Sequence, residues 1–256
     1  MPAGILTAGV WDDNRNYDRF SAFLGLGQSV SPYALFTAEE HERARHTVYA
    51  PGPKQKLDIS LVIDTTGSMG DELAYLQREL DAITARIKRD YPSAEQRWSL
   101  VLYRDNGDAY TVRWFNFRAD VADYRTKLAQ QAAAGGGDYA EATDQAIDIA
   151  QRLQWRRDAQ TARLVFWVAD APHHAETTAR LAASVRSARV KGIHVYPVAS
   201  SGVDEVTEAS MRSIAQLTGG RNALPTRLTH RAACGLPSSC AIPPVRYAVG
   251  HVPRTQ

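Results

Sequence analysis

Acidic residues and lysine run out well before this chain ends. After Glu208 there is no Asp, Glu or Lys, while Arg212, Arg221, Arg227, Arg231, Arg246 and Arg254 continue. Such a basic tail can meet an acidic partner. Aromatics do not interleave with its arginines, however, which argues against nucleic-acid binding. Cysteine is nearly missing: Cys234 and Cys240 are the only two. They are compatible with a small disulfide loop or with two free thiols, and without two further ligands they make no zinc site. No apolar run approaches the roughly 20 residues a membrane span needs. Met1-Pro2-Ala3-Gly4-Ile5-Leu6 lacks the basic region and apolar core of a signal peptide. The expectation is a soluble, untargeted chain, cytoplasmic by default, and cell-surface or secreted if the N-terminus is truncated. G-x-S-x-G, G-x-x-x-x-G-K and G-x-G-x-x-G are also missing, so hydrolase, nucleotidase and dehydrogenase readings have no motif to rest on.

What remains is enough for one α/β domain with flanking segments. The chain has 256 residues, 44% of them hydrophobic, and a formal net charge of +2 that selects no partner. Residues 1–56 are polar and irregular and end in the linker-like Ala50-Pro51-Gly52-Pro53-Lys54. Residues 57–222 are regular. Residues 223–256 form a Pro, Arg and Ala-rich tail without periodicity, expected to be poorly ordered.

Within the regular part, strand and helix signals alternate. Residues 57–63 make a short apolar run, and Leu73, Leu76, Leu80, Ile83 and Ile87 then recur at helical spacing. Strands are expected at 98–103 and 110–117, joined through Asn106-Gly107, a pair suited to a tight hairpin. Trp114, Phe115 and Phe117 should pack against helices. Helices follow at 121–131 and 141–153, a continuous apolar strand at 164–168, and a helix to Lys191 ended by Gly192. A strand at 193–199 and a helix at 206–217 complete the pattern. This is a doubly wound, Rossmann-like α/β fold: a mostly parallel sheet with one antiparallel edge strand and helices on both faces. Such sheets bind ligands beyond the carboxyl ends of their strands. Asp64 and Asp170 each lie just past a strong strand, so both should meet at one edge.

Asp64-Thr65-Thr66-Gly67-Ser68 carries the chemistry at that edge. A carboxylate and two hydroxyls alternate on a turn that Gly67 permits, offering oxygen ligands to a hard divalent cation. The plain alternative is structural: Ser68 caps the following helix, and Thr66 and Asp64 form a local turn. Two other stretches attract notice. Asp12-Asp13-Asn14-Arg15-Asn16 suggests a calcium loop but lacks the glycine at position six and the acid at twelve, where Phe23 stands, so a solvated turn is expected. His173 and His174 follow Asp170, yet two adjacent side chains without a third ligand do not make a zinc site.

Residues 57–222 resemble a von Willebrand factor type A (VWA) domain of the bacterial type. Leu61-Val62-Ile63-Asp64-Thr65-Thr66-Gly67-Ser68-Met69-Gly70 resembles its first strand and D-x-[ST]-x-S metal-ion-dependent adhesion site. Val168-Ala169-Asp170 is similar to its third metal loop, and Gly192-Ile193-His194-Val195-Tyr196-Pro197-Val198 to its next strand. The resemblance implies that Thr66 and Ser68 coordinate a cation directly, while Asp64 and Asp170 act mostly through bound waters. Magnesium is the implied ion, with calcium or manganese as alternatives. The family's middle-loop threonine has no counterpart before Thr143. Asp138 is the first candidate to replace it and Glu141 the second. Met69, Glu141, His173 and His174 are expected at the rim. The implied function is non-catalytic: capture of a protein presenting an Asp or Glu that completes the coordination, as in adhesion. Two alternatives stand beside it, an accessory subunit of an ATP-driven or metal-inserting complex, and a metal-dependent hydrolase with His173 or His174 as base.

Overall fold

Burial on both faces marks the first strand as the centre of the sheet. In a computed structural model, β1 (Lys56–Asp64) has seven of nine residues buried, as expected for a strand with helices above and below. The structure describes residues 32–45, 54–200 and 202–220. The expected Asp12 to Asn16 turn, the Cys234 and Cys240 pair and the irregular tail lie outside these residues.

Four more strands follow: β2 (Glu95–Tyr103), β3 (Val112–Arg118), β4 (Thr161–Ala169) and β5 (Ile193–Ala199). Their order is β3-β2-β1-β4-β5. The β1–β2, β1–β4 and β4–β5 pairs are parallel, and only β2–β3 is antiparallel, with β3 on the edge as its hairpin signal implies. The turn itself is wider than two residues. Arg104 N–H donates to Thr111 O at 3.0 Å and Asp108 N–H to Asp105 O at 3.3 Å, with Gly107 at φ 92°. Trp114 on β3 is half exposed rather than packed under helices.

Strand alternation sends side chains to two separate cores. Leu57, Ile59 and Ile63 of β1 join Trp98, Leu100 and Leu102 of β2 under α2 (Gly70–Asp90) and α3 (Val121–Ala129). On the other face, Val62, Val101, Val165, Trp167 and Val195 lie with residues of α4 (Thr143–Arg152), α5 (Thr178–Val190) and α6 (Glu205–Thr218). Gly192 and Gly219 take left-handed φ of 64° and 71° just after α5 and α6, positions that favour glycine.

Part of the segment expected to be irregular is built into the domain. A 3-10 turn (Pro32–Leu35) leads into α1 (Ala38–Arg45). Thr37 and Glu40 cap α1 reciprocally: Thr37 N–H donates to Glu40 Oε2 at 2.7 Å, and Glu40 N–H to Thr37 Oγ1 at 3.2 Å. Tyr33 and Phe36 are buried in the second core, and Arg186 of α5 bonds Glu40 Oε1 at 2.8 Å while lying over the Phe36 ring. Fourteen residues ahead of the linker thus complete the face formed by α5 and α6.

Candidate functional site

The sheet reverses direction of growth between β1 and β4, and the site lies beyond that point. Ile63 pairs with Val168, so Asp64 and Asp170 leave the sheet side by side. Asp64 folds the turn around itself. Its Oδ1 accepts from Thr66 N–H at 2.9 Å and from Thr66 Oγ1 at 2.7 Å, and Thr66 Oγ1 stands 3.4 Å from Ser68 Oγ. The local turn of the plain alternative is therefore present, but the cap is not: Met69 occupies the N-cap of α2, with no side-chain capping bond.

A glycine loop presses the third segment against this turn. Gly67 N–H donates to Gly135 O at 3.1 Å, and Ala134 N–H to Thr65 O at 3.0 Å. Gly135 and Gly136 both have positive φ, 83° and 79°. A Cβ on Gly136 would meet Glu141 Oε1 at 3.0 Å and Thr66 Cβ at 3.2 Å. Only glycine lets Thr66, the loop and Glu141 approach this closely.

Three carboxylates at this edge are buried and incompletely satisfied. Asp64 Oδ2, Asp170 Oδ1 and Glu141 Oε2 are buried oxygens without a hydrogen-bond partner among the described residues. Burial pushes the Asp64 carboxyl up to about 7, against the Thr66 hydrogen bonds and helped by the Asp170 charge. Burial, with the charges of Asp64, Asp105, Asp108 and Asp138, pushes Glu141 up to about 9. Asp170 is also raised, first by burial, with the Ser68 hydroxyl offsetting part of the effect. A buried polar atom left unpaired costs roughly 1–3 kcal/mol, and more when charged. The donor set of carboxylates and hydroxyls suits a hard cation. On these grounds the residues present fit the divalent ion expected from the sequence.

The remaining expected residues separate into different roles. Ser68 is exposed, as a direct ligand facing a partner would be. Met69 is fully buried and is not at the rim. Glu141 is buried beneath the site, and its backbone N–H donates to Pro172 O at 2.9 Å. His173, expected at the rim, is also buried: Nε2 lies 2.9 Å from Thr178 Oγ1 and Nδ1 3.2 Å from Ser210 Oγ. Burial pushes it down to about 4, so it is neutral. His174 points the other way, its Nε2 2.6 Å from Asp105 Oδ1. Asp138, the first candidate for the middle-loop ligand, stands with Asp105 and His174. Sequence reasoning missed Asp105 altogether, although it opens the Asn-Gly turn and so sits at the end of β2.

An open, mostly parallel sheet with an oxygen-rich crevice at its switch point defines a class: doubly wound domains that bind ligands at the strands' carboxyl ends. Within that class the family is specific. The model of the von Willebrand factor A domain matches residues 58–222, more than half of the chain, and the chain belongs to that family. It is 30% identical over 124 residues to an ariadne-like RING finger protein of Acanthamoeba polyphaga mimivirus, covering 48% of this chain and 12% of that one. It is 22% identical over 137 residues to the alpha-protein kinase vwkA of Dictyostelium discoideum, covering 53% and 22% respectively. The chain thus spans a small part of each relative. Among solved structures, BatB of Bacteroides thetaiotaomicron is similar with a TM-score of 0.49 and 13% identity, covering 66% of this chain and 89% of that one. No helix among the described residues is long and apolar enough to cross a membrane.

Proposed function

We propose that this domain binds a protein partner without catalysing a reaction, the partner's Asp or Glu completing the coordination of a divalent cation. Asp64, Thr66, Ser68 and Asp170 would hold the ion, with Glu141 rather than Asp138 as the middle-loop acid. Magnesium is the first choice, calcium or manganese the alternatives. The observation that carries this reading is the set of three buried carboxylate oxygens with no partner of their own. When bound, the cation supplies a positive centre to which an outside carboxylate can bind. The chain's own residues do the rest. Asp64 orients the Thr66 hydroxyl, Ser68 presents an oxygen to solvent, and Gly135 and Gly136 let Glu141 close the site from below.

Charge sets the strength of the contact. Three carboxylates around a doubly charged ion leave it a weaker acceptor than two carboxylates and a threonine would, so the partner's acid should be held modestly. The hydrolase alternative finds no support in the histidines. His173 is buried and bonded on both ring nitrogens, and His174 is paired with Asp105.

Heat denaturation under a cation titration tests the reading. An ion at about 100 times its dissociation constant adds roughly 2.7 kcal/mol, or about 5–11 °C for a domain of this size. If millimolar magnesium, calcium and manganese all leave the melting temperature unchanged, the cation is wrong. A partner retained from extract in magnesium and released by chelator supports the second half of the proposal; retention unaffected by chelator would refute it.

A further inference from the structure

Beside the Asp64 cluster, a second group of ligand atoms converges from three separate loops. Asp105 follows β2, Asp138 lies in the glycine loop, and His174 follows β4. One ligand atom from each lies within 4.8 Å of the others. Three ligands around one ion at about 2.0–2.2 Å stand roughly 3.4 Å apart in a tetrahedron, so small side-chain adjustments would seat them. We propose that Asp105, Asp138 and His174 form a second cation site, one for a borderline transition ion such as zinc, distinct from the Asp64 site.

Three observations carry this beyond a chance cluster of acids. The first is the imidazole. His174 is half buried, and its Nε2, the ligand atom, is already aimed at the carboxylate of Asp105, which is itself buried. A cation there would take the place of the proton these two groups share. The second is the scaffold around Asp105. Asp108 Oδ2 accepts from Asp105 N–H at 3.1 Å and from Gly136 N–H at 3.0 Å, so one side chain ties the β2 loop to the loop that carries Asp138. Gly135 belongs to the same tie, since a Cβ there would fall 2.3 Å from Asp108 Oδ1. The tie holds the two loops, and with them Asp105 and Asp138, in a fixed relation. The third is Glu141. It lies on the loop that carries Asp138, is 3% exposed, and its Oε2 has no partner among the described residues. A cation held nearby would offset the cost of burying that carboxylate.

Ligand type separates the two sites. Oxygen ligands alone at Asp64 suit magnesium, whereas an imidazole with two carboxylates favours zinc or manganese over magnesium and calcium. Exposure of Asp138 leaves the second site open to solvent for the remaining ligands. This inference does not depend on a cation at Asp64, and its test keeps the two apart.

The full chain, without a histidine tag, is titrated with zinc alone while the histidine ring signals are followed by NMR and affinity by calorimetry. Zinc is expected to move the His174 ring signals and millimolar magnesium to leave them in place. One zinc equivalent should weaken at least about 10-fold in His174→Gln and in Asp138→Asn, the latter an exposed position whose change leaves folding intact. Ser68→Ala should retain it. Unmoved His174 signals in zinc, or zinc affinity unchanged in both His174→Gln and Asp138→Asn, would overturn the proposal. Zinc binding that is lost in Ser68→Ala would equally refute it, because the ion would then belong to the Asp64 site.

Discussion

Asp58 and Asp64 sit near opposite ends of the same strand, and neither side chain is exposed at all. Their surroundings could hardly differ more. Asp58 accepts from Arg97 Nε at 3.0 Å and Nη2 at 2.6 Å, and from Arg156 N–H at 2.8 Å, with Arg156 Nη1 a further 3.3 Å from Oδ1. Two guanidinium groups therefore balance one buried carboxylate, in the fork geometry arginine favours. Asp64 has two bonds from Thr66, no basic side chain beside it among the described residues, and acidic neighbours in Asp170 and Glu141. The fold provides the counter-cation for Asp58 from its own sequence. At Asp64 the described residues provide hydroxyl and amide donors and more negative charge, but no cation. That contrast supports the proposed cation position, at the end of β1 where the described residues gather oxygens and offer no arginine.

The largest expected effect comes from swapping the logic of the two ends. Asp58→Ala takes the buried carboxylate away from two half-buried arginines, of which Arg156 keeps Glu95, and should cost about 3 kcal/mol, with or without magnesium. Asp64→Asn removes a charge that lacks a partner. In chelator it should melt at or above the wild-type temperature, and it should gain nothing from magnesium. Urea or thermal melts of both variants in EDTA and in magnesium read this directly. Equal destabilisation of the two in EDTA would break the comparison.

A smaller effect follows from proton linkage in the chelated protein. Glu141 has a folded value of about 9 against an ordinary 4.5, and Asp64 about 7 against 3.8. The folded state therefore binds these protons more tightly than the unfolded chain does. Their stabilisation is full below about pH 4 and is lost progressively as pH rises toward 9. His173 runs the other way, its folded value of about 4 lying below the ordinary 6.5, but above about pH 7 it is neutral in both states. Between pH 7 and 9, then, the Glu141 carboxyl dominates. The melting temperature in EDTA should fall across that range by about 5 °C or more, and saturating magnesium should flatten the fall. A profile that is flat in EDTA would mean that Glu141 is not strained by its neighbours.

Much of this arrangement was legible in the sequence, because it depends on local pattern. The apolar runs of β1 and β4 end at Asp64 and Asp170, and parallel strands in register bring such ends together without further information. The Asn106-Gly107 pair likewise announced the edge strand. What escaped depends on contacts distant in sequence or on the side of the backbone a residue faces. Asp138 lies on the loop that carries the Gly135 and Gly136 turns, so spacing alone could not say that it joins Asp105 and His174 while Glu141 goes under Thr66. His173 and His174 are adjacent on extended backbone and so face opposite ways, one into the core and one toward Asp105. Met69 follows the exposed Ser68 yet turns inward for the same kind of reason. The α1 segment had a readable signal in Thr37 and Glu40, a capping box, but its apolar partners on α5 and α6 lie some 140 to 180 residues away.

Ser68 sharpens the comparison with the smallest effect on the fold. Its hydroxyl lies against the Asp170 carboxyl and 3.4 Å from Thr66 Oγ1, and it caps no helix. Ser68→Ala should therefore change the stability of the chelated protein by no more than about 0.5 kcal/mol, as exposed substitutions usually do. In the proposed coordination the same change removes a direct ligand, so most of the stabilisation gained in magnesium should go with it. The two readouts separate the roles a serine can have here. A helix cap would cost about 1 kcal/mol in EDTA and leave the magnesium response intact. A ligand costs almost nothing until the cation is present, which is the behaviour expected at the end of β1 that lacks an arginine.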